Sequence, residues 1–177
     1  MKQNHPPSIE DGVQRMGRGM LALFWLIVLG AGTLLFSGVA DRKENPNGAP
    51  TGTLEDRVAE VRLARNSRGH YVADGTIDGV PARMLLDTGA TSIVVPEDLA
   101  DRIGLQRGRR IPVTTANGPA EVWTTRIDRL ALGTLEFTDI EAAIAPNLEG
   151  AVLLGMSALG AVEMTQRNGE LLIRQYR

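Results

Sequence analysis

Residues 84 to 95 read Met-Leu-Leu-Asp-Thr-Gly-Ala-Thr-Ser-Ile-Val-Val, and they carry the most pointed chemistry in the chain. Asp87 stands between two apolar runs and is followed at once by Thr88 and Gly89. A carboxyl group can take up or release a proton. Glycine lets a backbone turn sharply and lets another chain approach closely. A threonine hydroxyl donates and accepts hydrogen bonds, so it can brace such a loop. Leu85, Leu86, Ile93, Val94 and Val95 are expected to wall the acid with apolar surface, a setting that suits proton transfer. An Asp-Thr-Gly triplet on a surface turn is common by itself; apolar runs on both sides argue against that reading here.

Rival chemistries are poorly supplied. The chain has no cysteine, which excludes disulfides, thiolate metal sites and a cysteine nucleophile. Its only histidines, His5 and His70, are far apart in sequence, so neither a histidine metal site nor a serine–histidine triad is favoured. No metal and no cofactor is expected. The net charge of -2 comes from interspersed acids and bases, which leaves no nucleic-acid footprint. Asp74-Gly75 and Asp78-Gly79 lack the threonine and the flanking apolar runs, and both read as turns.

The elements that must hold Asp87 read as short strands. From about Val58, short apolar runs are separated by turn signals at Asn66–Gly69, Asp78-Gly79, Asn117-Gly118, Gly133-Thr134 and Asn168-Gly169. That spacing argues for an all-β domain. One short helix is expected at Pro96–Gly104, with proline and acids at its start and glycine at its end. A second is expected at Met156–Gly160.

Four elements together resemble the retroviral-type, single-lobe aspartic proteases, in particular their bacterial membrane-anchored branch. Leu85-Leu-Asp-Thr-Gly-Ala-Thr91 resembles the active-site loop, and Thr114-Thr-Ala-Asn-Gly118 falls where a flap hairpin is expected. Ala151-Val-Leu-Leu-Gly155 resembles the apolar-apolar-Gly element beneath that loop, and Met156-Ser157 opens the helix that usually follows. The resemblance covers roughly residues 57 to 177 and implies an all-β, single-lobe acid-protease barrel with one or two short helices. It also implies that Asp87 is the catalytic acid/base, that Thr88 ties two such loops together, and that Gly89 meets substrate backbone. Ala90 supports the loop. Ala116, Asn117 and Gly118 cover the substrate, and Leu153, Leu154 and Gly155 give structural support.

The implied reaction needs two carboxyls sharing one proton, since like charges about 3 Å apart cannot both ionise. One acts as base on a water while the other polarises the peptide carbonyl. With one Asp-Thr-Gly per chain, the second acid is expected from a second copy across a two-fold axis. The substrate is expected as an extended peptide or protein segment, paired through its main chain. Mildly acidic operation is expected, because the pair must keep one proton. The alternatives are a non-catalytic peptide-binding or dimerisation module on the same fold, and a monomeric hydrolase with another second acid.

Other residues have plainer readings. Trp123, just past the flap, is expected in the core or on a strand face rather than in a substrate pocket, His70 at a strand surface, Arg107-Gly-Arg-Arg110 in a solvated loop, and Tyr71 and Tyr176 packed on neighbouring strands. Viral members build their subunit interface largely from terminal strands, and Val162–Arg174 is the hairpin that could serve here.

Ahead of the domain, Met20 to Ala40 contains no charged residue over 21 positions, enough for one transmembrane helix. A cleavable signal peptide is the rival, with Gly38-Val39-Ala40 as its cleavage site, but the apolar stretch exceeds the usual core length. Residues 1–19 form a tail, and 41–56, rich in polar residues, Gly and Pro, read as a flexible stem. Membrane lipid is thus expected as a partner through residues 20–40. The expected location is the inner membrane, single-pass, with the domain on the periplasmic side.

Overall fold

The computed structural model describes residues 9–115 and 118–177, with some side chains of the first helix left out. The chain divides into two compact units, Met1–Asp41 and Arg42–Arg177.

Within the first unit lies most of α1 (Ile9–Glu44), a 36-residue helix. Its interior has no proline, and Pro46 stands just past its end, where a helix cannot continue. Leu21, Phe24, Trp25, Ile27, Leu34 and Phe36 are exposed along it. Among the described residues no helix is long and apolar enough to cross a membrane. Ala22, Gly32, Leu35, Ser37, Val39 and Ala40 of the expected span lie outside the described side chains. The span therefore stands on the sequence alone.

The second unit is mostly strand. In chain order it comprises β1 (Gly52–Glu55), β2 (Val58–Ala64), β3 (Val72–Ile77), β4 (Val80–Leu86), β5 (Ile93–Pro96) and α2 (Glu97–Ile103). Then follow β6 (Arg110–Thr115), β7 (Gly118–Leu132), β8 (Leu135–Ala145), β9 (Val152–Leu154), α3 (Met156–Leu159), β10 (Glu163–Arg167) and β11 (Glu170–Tyr176). Seven strands form one sheet in the order β3-β4-β9-β5-β8-β7-β6, and β3 pairs again with β7, so the sheet closes on itself. A second sheet has the order β1-β2-β11-β10.

Alternation sets which side of each strand is buried. In β2, Ala59, Val61 and Leu63 are buried while Arg62 and Ala64 are exposed. Ile77, Met84, Ile93, Val95, Ile127, Leu130, Ile144 and Leu154 fill the core between the strands. Asp78-Gly79 links β3 to β4 with φ of 49° and 83°, the left-handed pair that a two-residue hairpin turn demands. The short helix expected after Pro96 is α2, with Glu97 and Asp98 in its first turn. It closes at Gly104, whose amide donates to the Ala100 carbonyl at 2.9 Å. The helix expected at 156–160 is α3.

Three expectations differ from the structure. Tyr176, expected to pack on neighbouring strands, is exposed, and its hydroxyl donates to Glu163 at 2.9 Å. Asp74-Gly75 is not a turn; it lies inside β3. A Cβ on Gly75 would sit 2.4 Å from the Ala131 carbonyl oxygen, so the glycine serves the close pass of β3 over β7 where the sheet closes. The segment read as a flexible stem is tied down over much of its length. Asn47 is buried, and its amide group donates to the carbonyls of Ala64 and Val72 while accepting from the Ala64 amide. Beyond it, β1 pairs with β2. Polar composition argued for solvation, but here side-chain amides take the place of water and pair with backbone groups at the strand ends.

Candidate active site

Asp87 leaves the end of β4 at the point where that strand runs beside β9. Leu85 and Leu86 pair in parallel with Leu153 and Leu154, and the Asp87 amide donates to the Leu154 carbonyl at 3.1 Å. On its other side β9 meets β5 through Val94 and Leu153. The short strand is thus wedged between the strand that delivers the acid and the strand that follows it. Leu154 is fully buried, and its carbonyl accepts from the Asp87 amide at the exit of the loop.

The loop is held from within and from α3. The Gly89 amide donates to Asp87 Oδ1 at 2.9 Å, and the Ala90 amide donates to the Asp87 carbonyl at 3.2 Å. The Ala90 carbonyl accepts from the Met156 amide at 2.9 Å, and the Thr91 carbonyl accepts from the Ser157 amide at 3.0 Å. Ser157 Oγ accepts from the Ile93 amide at 3.1 Å. A backbone donor on the carboxylate fixes the direction in which it points. Gly155 passes so close beneath the loop that no side chain fits there.

Burial corrects one expectation. Ile93 and Val95 are fully buried in the core, and Leu86 packs against it, so these side chains anchor the loop ends rather than wall the carboxyl. Asp87 itself is half-buried, with Thr88 and Gly89 exposed beside it. In a single chain the tip of the loop, Thr88 and Gly89, therefore stands open.

The hairpin assigned to the flap is formed by β6 and β7, joined so that Thr115 pairs with Gly118. Thr115 Oγ1 donates to the Gly118 carbonyl at 2.8 Å, and Gly118 has a φ of 107°, a conformation open to glycine. Ala116 and Asn117 lie outside the described residues. At the root of the hairpin, Arg107 and Arg110 lie over the Trp123 ring at 5.5 and 5.6 Å. Arg107 also bonds Glu97 and Asp101 of α2, so the basic run is paired with acids and an aromatic face.

Sequence reasoning missed two contributions. Ser157 is a loop staple, although its only sequence signal was a hydroxyl at the start of a short helix. Glu44 reaches the domain surface beside His70 and Leu85, and nothing in its neighbourhood in the sequence points there. Among the described residues no group of three or more His, Cys, Asp or Glu could hold a metal ion.

Comparison with known proteins agrees with this geometry. A family model described as gag-polyprotein putative aspartyl protease matches residues 73–161. An uncharacterised protein in the cobV 5' region of a Sinorhizobium species is 31% identical over 90% of this chain and 75% of its own length. The uncharacterised protein RP867 of Rickettsia prowazekii is 26% identical over 72% of this chain and 56% of its own. The crystal structure of a retropepsin-like aspartic protease from Rickettsia conorii superposes with a TM-score of 0.57 at 26% identity. It covers 71% of this chain and 96% of that one.

Proposed function

The chain belongs to the retropepsin-like aspartic proteases, the gag-polyprotein putative aspartyl protease family, and on that premise we propose that it is a homodimeric aspartic endopeptidase. One observation carries the reading. Asp87 sits on an outward-facing loop, its Oδ1 held by the Gly89 amide, and the chain has a single Asp-Thr-Gly. One loop is half of a two-carboxyl site, so a second copy supplies the other half.

In the proposed dimer the two Asp87 carboxyls share a proton across the two-fold axis. The ionised one draws a proton from the attacking water as that water's oxygen bonds to the scissile carbonyl carbon. The protonated one hydrogen-bonds the carbonyl oxygen, which becomes a hydroxyl in the tetrahedral intermediate. As that intermediate collapses, one of its hydroxyls returns a proton to the ionised carboxyl, the C–N bond breaks, and the leaving nitrogen takes the proton held by the other carboxyl, so the pair again shares one proton. Thr88 braces one loop against the other, and the β6–β7 hairpin with Ala116, Asn117 and Gly118 covers an extended peptide. The Gly89 amide serves Asp87 Oδ1 in the free chain, and its neighbourhood is where substrate backbone would run.

The same reading includes a membrane anchor at 20–40, with the domain on the periplasmic side. An uncharged stretch of 21 residues in the sequence supports it, since a helix of that length spans about 30 Å. Protease accessibility of the domain in spheroplasts tests the side.

Digestion of a peptide library across pH, with and without a pepstatin-like inhibitor, tests the activity. Inhibitable cleavage that disappears in Asp87→Asn is the expected result. Undiminished cleavage by a folded Asp87→Asn protein would remove Asp87 from the reaction.

A further inference from the structure

Beside the Asp87 loop lies an open cleft of about 600 Å³. Leu85, which pairs with Leu153 in β9 two positions before Asp87, forms part of its lining. Ala151, at the entry to β9, lies on the floor as well. The cleft is therefore built partly on the two strands that hold the loop, β4 through Leu85 and the entry to β9 through Ala151.

Its rim is charged. Arg68 donates to Glu44 at 2.8 Å, Arg83 donates to Asp74 at 3.1 Å, and His70 stands exposed between them in sequence. Glu44 belongs to the segment that precedes the barrel, and its position is built. The Asn66 side-chain amide caps the Glu44 carbonyl at 2.9 Å, and Asn66 Oδ1 accepts from the amides of Arg68 and His70 at 3.0 and 2.8 Å. One buried asparagine thus orders both sides of the Glu44–Arg68 pair.

Arg68 and His70 stand beside Glu44 on this rim. A guanidinium carries five N–H donors, and Arg68 commits one of them to Glu44. The rim consequently offers hydrogen-bond donors above an apolar floor. We propose that this cleft is a substrate subsite selecting a carboxylate-bearing side chain, glutamate above aspartate, and that Glu44 acts through Arg68 as a positioning residue. The methylenes of glutamate lie on Leu85 and Ala151, and its carboxylate meets Arg68 and His70. The specificity of the site is then set partly by a residue outside the barrel.

The inference rests on the proposed peptide-binding site but not on turnover. Its test is binding of fluorescent peptides that carry Glu, Gln, Leu or Lys at one scanned position, measured by anisotropy on the full-length chain. Library cleavage is scored in parallel. Wild type is expected to favour Glu at one position. Arg68→Glu is expected to reverse that preference toward Lys, and Glu44→Gln to weaken it about fivefold or less, the range of one exposed charge pair. Thermal melts of each variant separate loss of selection from loss of fold. A Glu preference that survives Arg68→Glu, or no preference at all in wild type, overturns the inference. Selective binding without cleavage would keep the inference and refute the proteolytic reading.

Discussion

A Cβ placed on Gly155 would lie 2.3 Å from the carbonyl oxygen of Ser92 and 2.8 Å from that of Ala90. The backbone leaving β9 is pressed against the loop that carries Asp87, and no side chain separates them. The contact explains how an exposed loop keeps one conformation. Its neighbours Met156 and Ser157 donate to Ala90 and Thr91, so support comes from the backbone of α3 rather than from packing around the acid.

Gly155→Ala is therefore expected to push the loop off α3. The listener here is backbone, which cannot swing aside as a flexible side chain can, so the cost should exceed the ~1–3 kcal/mol typical of overpacking. Denaturant unfolding reads the loss, and peptide cleavage should fall with it. A variant with wild-type stability would mean that the loop is not pinned by this approach.

Mixing tests the shared site. If each site takes one Asp87 from each copy, an equal mixture of wild type and Asp87→Asn that exchanges subunits freely retains about a quarter of the doubly competent dimers. Activity per total chain should fall to about that level, and specific activity should also drop on dilution. Retention of half the activity would point to sites complete within one chain.

Asn47 should be worth more than its surface-like sequence context implies. Asn47→Ala removes two donated bonds and one accepted bond, leaving the Ala64 amide and the Val72 carbonyl without that partner. A loss of about 2–4 kcal/mol in urea unfolding is expected. Asn47→Asp should be harmful too, because a carboxylate cannot donate.

Acid should weaken the terminal sheet through Glu60. Its bond from Arg174, together with that from Arg62, outweighs burial and holds its carboxyl below the ordinary value of 4.5. A carboxyl lowered in the folded state stabilises fully above its unfolded pKa, and that contribution disappears as pH falls through the folded value. Stability should thus decline from about 4.5 downward, and Glu60→Gln should make that decline shallower. Glu136, lowered chiefly by Arg129, acts in the same direction.

Tyr71 offers the opposite case. Its ring is buried and its hydroxyl has no hydrogen-bond partner among the described residues. Tyr71→Phe removes a desolvated hydroxyl without opening a cavity, so stability should hold or rise by about 1 kcal/mol. A clear drop in the melting temperature would reveal a bond that the hydroxyl makes in solution.

Much of this molecule was legible along the chain because the deciding interactions are local. Asp78-Gly79 and Asn168-Gly169 specify their turns through backbone conformations that few residues accept. The alternation of Ala59, Val61 and Leu63 names the buried side of β2, and Pro96 with Gly104 brackets α2. Asp87-Thr88-Gly89 between apolar runs marked the reactive loop, because an acid followed by threonine and glycine stands there between two apolar runs.

Tertiary structure decided what sequence neighbours cannot. Gly75 reads as half of a turn until β7 crosses it, and Asn45-Pro-Asn-Gly48 reads as linker until Asn47 finds two strand ends. Leu85 and Val95 are equally apolar, yet one lines a cleft and the other fills the core. The physical reason is common to all of these. A side chain's propensity is fixed by its own chemistry, whereas burial and hydrogen-bond partners depend on strands brought together from distant parts of the chain.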